Sequence, residues 1–163
     1  MYHFTDTLLE GLTETLDNEI VVYNSTDNSN LNYLNLDFSK SKEIGIHCGT
    51  VKAAKARGFR YINKLKIDLS NANIYECDFD LVNGWQTLEL AQVYLKDEQL
   101  IADLRKNSAE IDKDMKYSSI YREWFLNRGY SAIRYINQVE DIGSISYIIF
   151  ANGLIKEASP YKL

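Results

Sequence analysis

Apolar positions change their spacing several times along the chain, and each change marks an element. In residues 5–17, Leu8, Leu9, Leu12 and Leu16 recur at helical intervals behind a capping Thr5, which predicts a short helix. "EIVVY" predicts a strand, and "NSTDNSNLN" after it reads as a loop of side chains that bond their own backbone. "LNYLNLDFSKSK" is an irregular, aromatic-bearing connection, and "IGIHC" a second short strand. The stretch from Thr50 to Arg57 favours helix, with Gly58 as its stop. "FRYINKLKIDL" alternates as a strand does, and "NIYECDF" predicts a shorter one. In residues 83–107, Leu88, Ala91, Val93, Leu95, Leu100, Ile101 and Leu104 predict one or two amphipathic helices. "SSIYREWFLNRGY" predicts a short helix capped by Ser118 or Ser119 and stopped by Gly129. "AIRYIN" and "ISYIIF" predict two strands joined by "QVEDIGS".

Helices interrupt strands irregularly in this order, which points to an α+β fold and away from a regular parallel sheet. A chain of 163 residues predicts one domain, residues 1–163. At this length roughly two thirds of the unfolded surface is buried, so no disulfide or metal is required to hold a core. Cys48 and Cys77 stand alone without CxxC spacing, which favours reduced thiols in a cytoplasmic setting. His3 and His47 are the only histidines, and no clustered partners predict a metal site. No signal peptide is predicted from "MYHFTDTLLEGLTETL", and no apolar run approaches the ~20 residues of a membrane span. The net charge of −5 argues against direct binding to nucleic acid, which requires a basic surface.

Three short blocks place small or polar residues beside aromatic ones at strand ends. "YNST" carries an amide and two hydroxyls. "GIHCGT" brings backbone within reach of a ligand, since Gly45 and Gly49 have no side chain to block approach. "YINQVEDIGSISYIIF" sets Glu140 and Asp141 before a buried strand. Each block also has an ordinary structural reading: turn chemistry for Asn24, Ser25 and Thr26, a hydrogen-bonded core residue for His47, a solvated turn for Glu140 and Asp141. Arg57 also suits the C-terminal end of its helix through the helix dipole.

Taken in order, "YNST", "LDFSKSKEIGIHCGTVKAAKARG", "RGYSAIRYINQVEDIGSISYIIF" and a closing "LIK" resemble the ADP-ribosyltransferase superfamily. The likeness is to the compact type of phage and mobile elements, and it spans residues 20–156. It implies two small antiparallel sheets packed at an angle with flanking helices, and NAD bound between them as substrate. It also implies the roles of residues. Thr26, His47, Gly49, Thr50, Arg57 and Tyr147 match cofactor-binding positions, with Asn24 where the family has histidine and Ser25 where it has glycine. Cys48 replaces a phenylalanine, Glu140 matches a turn glutamate, and Ser146 stands where more distant relatives carry a glutamate before the tyrosine. Glu140 is thus the expected catalytic carboxylate, able to hold a ribose hydroxyl and stabilise positive charge on the sugar.

The function implied is mono-ADP-ribosyl transfer from NAD to a protein, in phage–host conflict, with a nucleic-acid-binding defence complex as one target class. The setting would be the host cytoplasm. The departures at Asn24 and Ser25 keep a second expectation open, a catalytically degenerate protein of the same fold that blocks its target stoichiometrically. A third is NAD hydrolysis without a protein acceptor.

Overall fold

The computed structural model describes residues 19–162. The helix expected over residues 5–17 lies outside that range. The described chain is α+β, with two small sheets and a helical layer. In chain order the elements are β1 (Glu19–Thr26), β2 (Ile46–Cys48), α1 (Val51–Arg57), β3 (Tyr61–Asp68), β4 (Ile74–Glu76) and a π-helical segment (Leu90–Leu95). Then come α2 (Glu98–Lys106), α3 (Lys113–Asn127), β5 (Ala132–Ile136), β6 (Ile145–Ile149) and β7 (Ile155–Pro160).

The first sheet has the order β1-β3-β7 and is antiparallel throughout. The second has the order β2-β6-β5-β4 and is mixed, because β4 runs parallel to β5. Two antiparallel sheets were expected. The difference arises because residues 77–131 form a helical crossover between β4 and β5, and a long crossover returns the chain in the same direction.

Alternation along the strands builds three layers. Val22 on β1, Leu65 and Ile67 on β3, and Cys48, Ala132, Tyr147 and Ile149 on the second sheet fill the space between the sheets. The opposite face of the second sheet offers Ile133, Tyr135 and Ile148 to Leu90, Leu100, Leu104, Tyr121 and Phe125 of the helical layer. Each large apolar side chain buried this way contributes roughly 1.5–3 kcal/mol.

Local chemistry explains the helix ends. Thr50 caps α1 by accepting from the Ala53 amide at 3.1 Å. Gly58, at φ 77°, closes it in the left-handed conformation that favours glycine. α3 starts at Lys113, five residues before the expected Ser118, so neither serine is its cap. Ser118 is instead fully buried and donates to the Lys42 carbonyl at 2.8 Å. At its C-terminus, Tyr130 N–H reaches the Phe125 carbonyl and Gly129 N–H the Leu126 carbonyl, a Schellman pair closed by the Phe125–Tyr130 contact. In residues 83–107 the chain forms the π-helical segment and then α2, Glu98–Lys106. Lys96, at φ 50°, separates it from the π-helical turn.

Candidate functional site

β1 and β2 meet at one point and then diverge. Tyr23 and Gly49 exchange both backbone hydrogen bonds, at 2.8 and 3.0 Å, and join the two sheets. Beyond that bridge the strands part around a cavity of about 440 Å³, lined by Asn24, Ser25, Thr26, Glu43, His47 and Arg57 among others. By the two-residue period of a strand, Ser25 turns its backbone N–H and C=O toward the same edge as Tyr23, and so toward this cavity. β1 therefore runs through Asn24, Ser25 and Thr26, where the sequence suggested that it had already opened into a loop.

The side chains of that block are committed internally. Asn24 donates to the His47 carbonyl at 2.7 Å and accepts from the Tyr33 hydroxyl at 2.6 Å. Asn63 donates to the same hydroxyl at 3.0 Å. Burial of Tyr33 pushes its phenol up to about 12, so it remains a neutral donor. Ser25 accepts the Phe59 amide at 3.2 Å, and Thr26 the Asn28 amide at 3.0 Å. The Asn24 amide thus spans the gap between the diverging strands, and the hydroxyls fasten the loops on either side.

A polar cluster occupies the far wall, at the end of the second sheet. His47 is 9% exposed; its Nδ1 lies 3.4 Å from the Tyr135 hydroxyl and its Nε2 3.5 Å from Glu43. Burial lowers the His47 pKa and outweighs the opposing pull of Glu43, so the imidazole is neutral at pH 7. Burial raises the Tyr135 phenol. Arg57 lies between two carboxylates, with one terminal nitrogen 3.1 Å from Glu43 and the other 3.5 Å from Glu140. The Nε of Arg57 is buried and, among the described residues, has no hydrogen-bond partner. A second cavity of about 200 Å³ shares Glu43, His47 and Arg57 with the first and adds Asp80, Tyr135 and Glu140. Burial raises the Asp80 pKa, and the Glu140 charge adds to the shift.

Glu140 is held by the turn that carries it. The Oδ1 of Asn137 accepts the amides of Val139, Glu140 and Asp141 at 3.0, 2.8 and 3.2 Å. Its Nδ2 donates to Glu140 at 2.8 Å and to Ser146 at 3.1 Å. Thr50 donates to Asp141 at 2.6 Å, tying the start of α1 to the same turn. That bond is the largest cause holding the Asp141 carboxyl below its usual value. Gly49 completes the junction, since a Cβ there would come 2.6 Å from the Ser146 Oγ.

Of the residues singled out in the sequence, Asn24, Ser25, Thr26, His47, Gly49, Thr50, Arg57 and Glu140 all gather around this junction. Tyr147 does not. It pairs with Cys48 and Arg134 on the face of the second sheet that packs against the first, and it lines neither cavity. The one-residue step from Ser146 to Tyr147 decides this, because successive side chains point to opposite faces. Sequence reading missed Glu43 and Asn137, while Tyr135 is a core residue whose hydroxyl also reaches His47. Glu43 lies four residues before His47, a spacing that does not mark a contact outside a helix. Asn137, three residues before Glu140, carried the detectable signal of a side chain that caps its own turn.

Among the described residues no group of three or more His, Cys, Asp or Glu side chains could hold a metal ion. No described helix is long and apolar enough to cross a membrane. Cys48 and Cys77 are buried free thiols, and burial raises both pKa values.

No protein-family model matches the chain, and no curated protein does. A solved structure described as "Crystal structure of an anti-CRISPR protein" aligns over 85% of this chain and 94% of its own, at 6% identity and a TM-score of 0.42. That degree of likeness carries no inference about this chain.

Proposed function

We propose that the cleft between β1 and β2 binds NAD and that the protein transfers ADP-ribose from it to a protein acceptor. One observation carries the reading. Separate stretches of sequence (the β1 end, His47, Arg57 and Glu140) converge on two cavities that share Glu43, His47 and Arg57, around a guanidinium held by two carboxylates. A cavity of about 440 Å³ falls within the range of small-molecule sites.

The nicotinamide end of NAD has complementary groups in this reading. The nicotinamide carboxamide, with one donor and one acceptor side, matches the N–H and C=O of Ser25 at the strand edge. The buried Nε–H of Arg57 takes a ribose or phosphate oxygen as its acceptor. Glu140, fixed by Asn137, holds a ribose hydroxyl and stabilises positive charge at C1′ as the bond to nicotinamide breaks. The bond's electron pair leaves with the nicotinamide nitrogen, and the acceptor attacks C1′ from the second cavity. Val82 and Val139, both exposed, line that cavity and suit an acceptor carried on a protein surface. The biological setting proposed with this activity is the conflict between phage and bacterium, with a defence complex as target, and it rests on the resemblance of the sequence blocks.

Calorimetric titration with NAD tests the reading, run on the parent protein, His47→Ala and Glu140→Ala. Saturable binding is expected in the parent and weaker binding in His47→Ala. Glu140→Ala should keep binding NAD and stop releasing nicotinamide. No heat and no thermal shift at millimolar NAD would refute it.

The engagement of both ends of the Asn24 amide favours a second reading, a stoichiometric blocker of the same fold. A blocker works at a one-to-one dose without NAD, whereas an enzyme works substoichiometrically and needs it.

A further inference from the structure

We infer that Glu43 is a second catalytic carboxylate of this site, the base that takes the proton from the acceptor as it attacks the ribose. The inference rests on the ADP-ribosyl-transfer reading above and assigns the acceptor side of the same cleft. Two carboxylates flank Arg57, and their surroundings differ. Glu140 is 18% exposed and is anchored by Asn137 at 2.8 Å, which suits a fixed contact to the ribose. Glu43 is 39% exposed, so an incoming acceptor can reach it. Among the described residues, it lines both cavities together with His47 and Arg57.

The backbone of Glu43 is held while its side chain stays accessible. Ser118 donates to the Lys42 carbonyl at 2.8 Å and Arg122 to the Ile44 carbonyl at 3.0 Å, both from α3. A second Arg122 nitrogen lies 3.4 Å from the carbonyl of Glu43 itself. This clamp fixes the backbone beneath the carboxylate, whose oxygens face Arg57 and His47. His47 Nε2 lies 3.5 Å from one of those oxygens, and the neutral imidazole can pass a proton on.

The step balances without a further reagent. The bond from C1′ to the nicotinamide nitrogen breaks, and its electron pair leaves on nicotinamide. The acceptor X–H forms the X–C1′ bond and gives its proton to Glu43, which returns it to solvent. Water serves as X–H when no protein acceptor is present.

The test uses the whole chain with NAD, comparing the parent, Glu43→Gln and Glu43→Asp by calorimetry and by nicotinamide release, with and without sodium azide. Glu43→Gln should bind NAD within about twofold of the parent and release nicotinamide on the order of 10²–10³ more slowly. Azide, an anionic nucleophile with no proton to lose, should raise that rate by roughly tenfold or more and yield azido-ADP-ribose by mass spectrometry. Glu43→Asp keeps the charge with a shorter reach and should be slowed less, with the same rescue; it carries the test if Glu43→Gln does not fold. If the parent turns over and both variants match it, the inference falls and the transfer reading stands. Slow release with intact NAD binding and no azide rescue would also overturn it, by making Glu43 a positioning residue. A parent that neither binds NAD nor releases nicotinamide would overturn the transfer reading and this inference with it.

Discussion

Replacing Asn137 by aspartate keeps the shape of the side chain and reverses one function of it. The residue is 1% exposed. Its Oδ1 accepts three turn amides, and aspartate preserves that. Its Nδ2 donates to Glu140 and to Ser146, and aspartate puts an oxygen there, 2.8 Å from the Glu140 carboxylate. A hydrogen bond to a charged group contributes about 1.5–3 kcal/mol and one between neutral groups about 0.5–1.5 kcal/mol. Their loss predicts destabilisation of about 2–4 kcal/mol at pH 8, or roughly 5–15 °C in Tm for a chain of this size. The loss should be pH-dependent. Two carboxylates in contact cannot both ionise freely, so the folded pair binds a proton more tightly than the unfolded chain does. Stability therefore returns as the pH falls through the folded pair's titration and is lost as the pH rises through it. Urea unfolding at pH 5 and pH 8 measures both effects. Asn137→Ala should lose stability about equally at the two pH values. An Asn137→Asp protein as stable as the parent at pH 8 would refute the assignment of this side chain as the anchor of Glu140.

Gly49→Ala should cost about 1–3 kcal/mol by overpacking against Ser146, and adding Ser146→Ala should recover part of it; a double-mutant cycle by urea unfolding reads the coupling, and strict additivity would contradict the contact. Tyr147→Phe removes a hydroxyl on the face of the second sheet that packs against the first. It should change stability by less than about 1 kcal/mol, and under the proposed function it should leave the parent's NAD binding heat unchanged, whereas a weakened titration would return Tyr147 to the site. Asp97 is held below its usual pKa by the Trp124 indole N–H first, with the α2 cap and Arg128 assisting. A depressed folded pKa gives stability above the unfolded value that is lost as the pH falls through the folded one, below about 4. Asp97→Asn should flatten that acid limb, and an unchanged limb in acid titrations followed by circular dichroism would contradict it.

The sequence determined the elements whose causes are local. Thr50 and Gly58 bracket α1 because a hydroxyl caps one end and a left-handed glycine closes the other. β3 follows from alternation, β5 and β6 from short runs rich in isoleucine and tyrosine, and Gly129 stops α3 as expected. That the candidate residues other than Tyr147 lie near one junction agrees with the order of the sequence blocks, whose small residues, histidine and turn carboxylate all fall at strand ends. Tertiary structure decided the rest. It gave β4 its parallel neighbour, set Tyr147 on the far face, drew the Asn24 amide across the strand gap, and brought Glu43 and Glu140 to opposite ends of Arg57. Propensity and capping act over a few residues and can be read in order along the chain. Which side chains meet across a cleft depends on strand register and on crossovers such as residues 77–131, whose course is set by packing between segments distant in sequence.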